Sequence, residues 1–231
     1  PDDGTRCLPA PSLAGARGVA ASPDGSSVYV AARTDSSLTH FSTGLGGELT
    51  LRGCYDDGGT GGCADIGTLG GAAHVAVSPD GRSVYVVGDA GHTITTFARS
   101  EEDGSLGFRG CHRDDGATGC ARVPSLTGAQ SVAVSPDGAS VHVTSIFDYA
   151  LTTFSRAPDG TLSVHGCVAA DGREGCAPVA PFSVPAAVAL SPDGSSVYVT
   201  ASGSGAIAHF AREGAPAAVP PGGAGGPPGP A

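Results

Sequence analysis

Seven cysteines and seven histidines are the residues whose types could do chemistry in this 231-residue sequence. Six of the cysteines fall into three pairs with eight residues between the partners: Cys54/Cys63, Cys111/Cys120 and Cys167/Cys176. Zinc ligands usually stand about two to four residues apart within a pair, and the residues that recur beside these cysteines are Asp and Gly. The spacing therefore predicts disulfides formed in an oxidising compartment, extracellular or at the cell surface. Asp56/Asp57 and Asp114/Asp115 lie inside the enclosed loops, but their offset from the first cysteine drifts between copies, whereas a calcium loop needs fixed ligand spacing. They read as solvated turns, and no metal site is expected. Among the histidines, His74 is the candidate for proton transfer, and Arg17 could polarise a carbonyl or bind a carboxylate. No nucleophile elbow, phosphate loop, zinc-binding His pair or Cys/His arrangement occurs.

The elements that must position these residues are set by an internal repeat. Ser-Pro-Asp-Gly occurs at 22–25, 78–81, 135–138 and 191–194, at spacings of 56, 57 and 56 residues. A short apolar strand precedes each copy, a second follows it, and a third comes after a short polar loop. A fourth segment, such as Leu106–Cys111, appears in the first three units. Proline presets φ at the second turn position, Asp tolerates the third, and Gly accepts the exit geometry, so the tetrapeptide reads as a hairpin turn. The second strand is apolar on both faces (Val84, Tyr85, Val86, Val87), as a strand covered on both sides should be. The fourth alternates, with Leu49/Leu51, Leu106/Phe108 and Leu162/Val164, and reads as half-buried. An inner strand buried twice and an outer one buried once make an all-β chain of four-stranded antiparallel blades. About four blades of a β-propeller are expected over residues 1–212, since the coils of the rival β-solenoid are shorter than these units.

Composition narrows the partners. Lys and Asn are absent, which removes lysine-based catalysis and N-linked glycosylation. The formal net charge of −10 disfavours nucleic acid and anionic membrane surfaces. No apolar stretch approaches the ~20 residues that span a bilayer, so membrane insertion is not expected. Residues 213–231 are a Pro/Gly/Ala tract expected to be disordered. Cys7 aligns with the second cysteine of a pair, so its partner, and the strand that completes the last blade, are expected upstream of Pro1. Among these 231 residues Cys7 is expected to have no cysteine partner.

Four Ser-Pro-Asp-Gly copies, each followed by a Ser-Val-Tyr-Val-like strand and then by a strand that in three units ends Phe-x-Arg (Phe97/Arg99, Phe154/Arg156, Phe210/Arg212), resemble the YVTN-type, lactonase-like seven-bladed propellers. The cysteine connector is similar to a version common in proteins of high-GC bacteria. The resemblance covers about residues 1–212 and implies either a partial arc of a seven-bladed ring or a small four-bladed ring. Some members of that family hydrolyse sugar lactones; no cofactor is implied. Propeller ligands usually meet the face where the connectors between blades and between the second and third strands emerge, near the central channel. That face would carry Arg33, Asp89 and Asp148 on loops, with Arg17, His74 and Gln130 at the inner edge, all as ligand-binding candidates. Lactonase-like propellers often carry a His at the position of His74. His40 and His209 stand where the other two units have Thr, and His142 stands where its siblings have Tyr, which suggests packing roles. His92, His112 and His165 fall on loops or an outer strand. The leading expectation is a binding or scaffold module that engages a protein, glycan or small molecule through the cysteine-loop face. The alternative is a lactone hydrolase using His74 and Arg17.

Overall fold

The computed structural model describes residues 10–212, which form four blades. Cys7 and the 213–231 tract lie outside them. Blade 1 contains β1 (Ala16–Ala21), β2 (Ser27–Ala32), β3 (Ser37–Thr43), β4 (Leu49–Asp56) and β5 (Ala64–Asp65). Blade 2 contains β6 (Ala72–Val77), β7 (Ser83–Gly88), β8 (Thr93–Arg99), β9 (Leu106–Arg113) and β10 (Ala121–Arg122). Blade 3 contains β11 (Ala129–Val134), β12 (Ser140–Ser145), β13 (Ala150–Arg156), β14 (Leu162–Ala169) and β15 (Ala177–Pro178). Blade 4 contains β16 (Pro185–Leu190), β17 (Ser196–Ala201) and β18 (Ala206–Ala211). Within a blade the long strands pair antiparallel in chain order, as the repeat predicts.

The fifth strand is not legible in the repeat. β5, β10 and β15 pair parallel to the outer strands β4, β9 and β14. Each is held by its disulfide, Cys54–Cys63, Cys111–Cys120 or Cys167–Cys176, with Cα–Cα distances of 4.7, 4.8 and 4.7 Å. The cysteine loop thus doubles back and lies along the edge of its own blade.

Apolar cores lie between blades rather than within them. Tyr29 and Leu38 of blade 1 meet Val75, Val84, Val86 and Phe97 of blade 2. Tyr85, Val87 and Ile94 of blade 2 meet Val132, Val141, Val143 and Phe154 of blade 3, and Leu151 meets Val188, Val197 and Val199 of blade 4. Each fully buried side chain of this size contributes about 1.5–3 kcal/mol. β7 is buried along its whole length, as its two apolar faces predict. The outer strands depart from the half-buried reading: Leu106 is buried against blade 1, but Leu49, Leu51, Phe108 and Val164 are exposed. Only the side chain that reaches the preceding blade finds cover. Val19 and Ile207, on the outward faces of blades 1 and 4, are 66% and 70% exposed, so the described blades form an open arc.

The Ser-Pro-Asp-Gly turn closes as expected, with Gly25 N–H donating to the Ser22 carbonyl at 2.9 Å. Its aspartate has a second role. Arg99, at the end of β8, donates to Asp24 Oδ2 of the preceding blade at 3.0 Å, to the Tyr29 hydroxyl at 2.9 Å and to the Gly81 carbonyl at 3.1 Å. Arg156 grips Asp80 at 2.7 Å and the Tyr85 hydroxyl at 2.8 Å in the same way. Arg212 grips Asp137 at 2.7 Å, and because residue 142 is His, its Nε donates to Ser140 Oγ at 3.0 Å instead. The Phe-x-Arg and Ser-Pro-Asp-Gly motifs are therefore the two halves of an inter-blade latch. Blade 1 has Thr43 in the arginine position.

Candidate functional site

Every inner strand carries a β-bulge at the same place. The register slips between Ala16 and Gly18, Ala72 and His74, Ala129 and Ser131, and Pro185 and Ala187, which leaves Arg17, Ala73, Gln130 and Ala186 as the bulged residues. A bulge bends the strand and re-aims its extra side chain. Three neighbouring inner strands pack in succession, β1 on β6 and β6 on β11. Gly18 permits the first contact, since a Cβ there would stand 2.7 Å from the Cα of His74.

The bulges bring four of the expected residues together. Arg33, the first residue after β2, donates through Nε to Asp89 Oδ2 of blade 2 at 2.6 Å, which raises its pKa. Arg17 Nη1 lies 3.6 Å from the same oxygen. With the Gln130 amide turned so that its oxygen faces the guanidinium, Oε1 accepts from Arg17 Nη2 at 2.6 Å. Arg17 of blade 1 thus reaches blade 3 past the small bulge residue Ala73. The Asp89 side chain is only 6% exposed and its Oδ1 has no protein donor, so a single buried carboxylate oxygen fixes two arginines. Both guanidinium groups remain about half exposed, with N–H groups free to meet a ligand.

His74 sits beside this network and is half-buried. Burial lowers its pKa, and the nearby Arg17 charge acts in the same direction, so the imidazole is neutral near pH 7. Its Nδ1 lies 3.5 Å from the Val132 N–H, a contact that leaves the proton on Nε2 and makes that nitrogen a donor.

Asp148 stands apart from the cluster. It accepts from Thr127 N at 2.6 Å, as Asp35 accepts from Ala14 N at 2.7 Å in blade 1. Nearby, the Arg173 guanidinium lies 5.3 Å from the Tyr149 ring centroid. Burial, then the charge of Asp148, raises the pKa of Asp114. The two classes of connector do share one face. Asp114 N donates to the His92 carbonyl at 3.1 Å, and Ala170 N donates to the Tyr149 carbonyl at 3.2 Å.

His40, His92, His112, His142 and His209 make structural contacts, whereas His165 is exposed on the outer strand β14. His40 and His209 stack on Tyr29 and Tyr198 across the strand pair, at 4.9 and 5.1 Å. His142 bonds Ser140 and Thr153, and burial lowers its pKa to about 4. His92 Nδ1 accepts from Gly128 N at 3.0 Å, and His112 packs on Phe154 at 5.1 Å.

The sequence matches the family described as lactonase, seven-bladed β-propeller, over residues 63–219, and the chain belongs to that family. No curated protein matches it. Among solved structures, a candidate 6-phosphogluconolactonase of Bacteroides uniformis superposes with a TM-score of 0.66 at 18% identity, over 86% of this chain and 51% of that one. The periplasmic gluconolactonase of Pseudomonas aeruginosa gives 0.63 at 23% identity, over 86% and 50%. A protein of unknown function from Desulfotomaculum acetoxidans gives 0.63 at 18% identity, over 88% and 56%. At these identities the likeness is one of fold, and the chain spans about half the length of the structures it matches.

Proposed function

We propose that the inner ends of blades 1–3 form a sugar-lactone site and that the protein acts there as a lactone hydrolase. The observation that carries this reading is the convergence of Arg17, Arg33, Asp89 and Gln130, with neutral His74 beside them, in a chain of the lactonase family. A lactone carbonyl facing the free guanidinium N–H groups would be polarised toward attack. Water adds to the carbonyl carbon and the carbonyl oxygen takes up negative charge against the arginines. Collapse breaks the acyl bond to the ring oxygen, which leaves as a hydroxyl carrying a proton from the water, and a hydroxy acid results. Asp89 is a positioning residue, since it fixes the guanidinium groups before substrate arrives. His74 contributes an N–H to a substrate oxygen.

The test is proton release from D-glucono-1,5-lactone at neutral pH. Arg17→Ala and Arg33→Ala are each expected to lower kcat/KM about 100-fold, the scale of losing one oxyanion donor. His74→Ala is expected to lower it less. A double Arg17→Ala/Arg33→Ala variant with the full rate sinks the proposal.

A second reading, a binding or scaffold module, is favoured by one observation: three cysteine loops repeat the same folded-back geometry, one along the edge of each of blades 1–3. Saturable binding of a glycan or protein without turnover would support it. The disulfides support an extracellular or cell-surface location under either reading, and no helix among the described residues is long and apolar enough to cross a membrane.

A further inference from the structure

We infer that Phe147 is the apolar wall of this site, a specificity-determining residue that stacks on the ring of the bound sugar; the inference rests on the lactone-site reading. The backbone places it. Arg33 N donates to the Gly15 carbonyl at 2.9 Å, Asp89 N to Gly71 at 3.1 Å, Ile146 N to Gly128 at 3.0 Å and Ser202 N to Val184 at 3.0 Å, so these four residues occupy one position in the four blades. The next position holds Thr34, Ala90, Phe147 and Gly203.

Around the mouth, charge therefore changes to apolar surface. Blades 1 and 2 supply Arg33, Arg17 and Asp89, while blade 3 supplies Gln130 from its strand and Ile146 and Phe147 from its loop. The Phe147 ring is 60% exposed, yet it is seated. Its Cδ2 edge lies over Gly128, where φ is +73° and a Cβ would stand 2.6 Å away. Gly128 is two residues before Gln130, which holds Arg17. A large aromatic ring left open to water on the same rim as a fixed pair of arginines, and tied to Arg17 through Gly128 and Gln130, offers one ligand face a flat apolar surface and one ligand edge a row of donors. A sugar lactone has that shape, with C–H bonds across its ring face and a carbonyl at its edge.

The chain contains no Trp, so Phe147→Trp places a single indole reporter at the mouth. Its emission is expected to change saturably with D-glucono-1,5-lactone and with the corresponding unreactive lactam. Phe147→Ala is expected to raise KM about tenfold with kcat within about twofold, and Phe147→Tyr to restore KM. If Arg17→Ala loses turnover but Phe147→Ala leaves KM unchanged, the stacking inference fails and the site reading stands. If the wild-type protein hydrolyses no lactone and the reporter responds to neither compound, both fail.

Discussion

At the scale of single residues, the arginine latch sets what can be substituted. Arg99 is 1% exposed while its partner Asp24 is about half exposed, so the ion pair itself is screened and worth little. The cost of Arg99→Ala comes from the buried Tyr29 hydroxyl and Gly81 carbonyl, which lose a donor. We expect a loss of about 2–3 kcal/mol in urea unfolding, with Arg99→Lys no better, because an ammonium cannot span both partners and the carboxylate. The latch also shapes acid sensitivity. Hydrogen bonds from Ser22, Ser26 and Arg99 hold Asp24 below the carboxylate range, and Asp80 and Asp137 are lowered against the opposing effect of burial by Ser and Arg donors. That stabilisation is present above about pH 4 and is lost as pH falls through the lowered native pKa values. His142 acts earlier. Its ordinary pKa of 6.5 falls to about 4 in the fold, so its contribution is full above 6.5 and declines between 6.5 and 4 as the unfolded chain takes the proton first. Burial shifts His40, His74 and His112 the same way. His142→Tyr, the residue of the sibling units, should remove its part of this loss and let Arg212 bond a hydroxyl. Melting temperatures at pH 7 and pH 5 measure it: the difference should be smaller in the variant.

At the scale of elements, the strands β1–β4 and their counterparts were legible because turn chemistry and apolar patterning repeat together. The fifth strand was not. Ala64–Asp65, Ala121–Arg122 and Ala177–Pro178 are exposed dipeptides with no pattern of their own, and their pairing follows from the disulfide that folds them back. Replacing Cys111 and Cys120 by Ser should therefore release β10 and cost about 2–3 kcal/mol, the entropy of closing so short a loop. Amide exchange should report it as lost protection confined to residues 121–123; unchanged exchange there would show that β10 pairs without its disulfide. The bulges are not legible in the repeat for a related reason: Arg17, Ala73, Gln130 and Ala186 have no residue type common to all four. Their signal was that variation itself, inside an otherwise strict repeat, which is why Arg17 and Gln130 could be singled out while the link between them could not. Loop position places Arg33 and Asp89 on the rim, but their pairing needs the angle between blades. Loop position alone groups Asp148 with them, whereas in the fold it accepts from Thr127 of its own blade.

At the scale of the molecule, stability is distributed by how many neighbours each blade has. β7 and β12 are buried throughout, whereas β17 and β18 alternate with exposed positions. Because each blade contributes to a core only through the blades beside it, native-state amide exchange should be slowest in β7 and β12 and faster by orders of magnitude in β18. Equal protection across all four blades would contradict a stability built at the junctions. The latch adds a consequence for how such a chain can change in length. Both the arginine and its aspartate are written into each of units two to four, so excising one whole repeat, from Ser78 through Val134, would bring Arg156 against Asp24 and rebuild the junction from the same parts. Removing only part of a repeat, so that Asp80 is lost and Arg156 kept, would leave that arginine facing no carboxylate. Joining blade 4 back to blade 1 would set Asp193 against Thr43, a junction with no grip. Such a molecule can gain or lose whole blades by recombination with little chemical penalty, except at a junction made through Thr43.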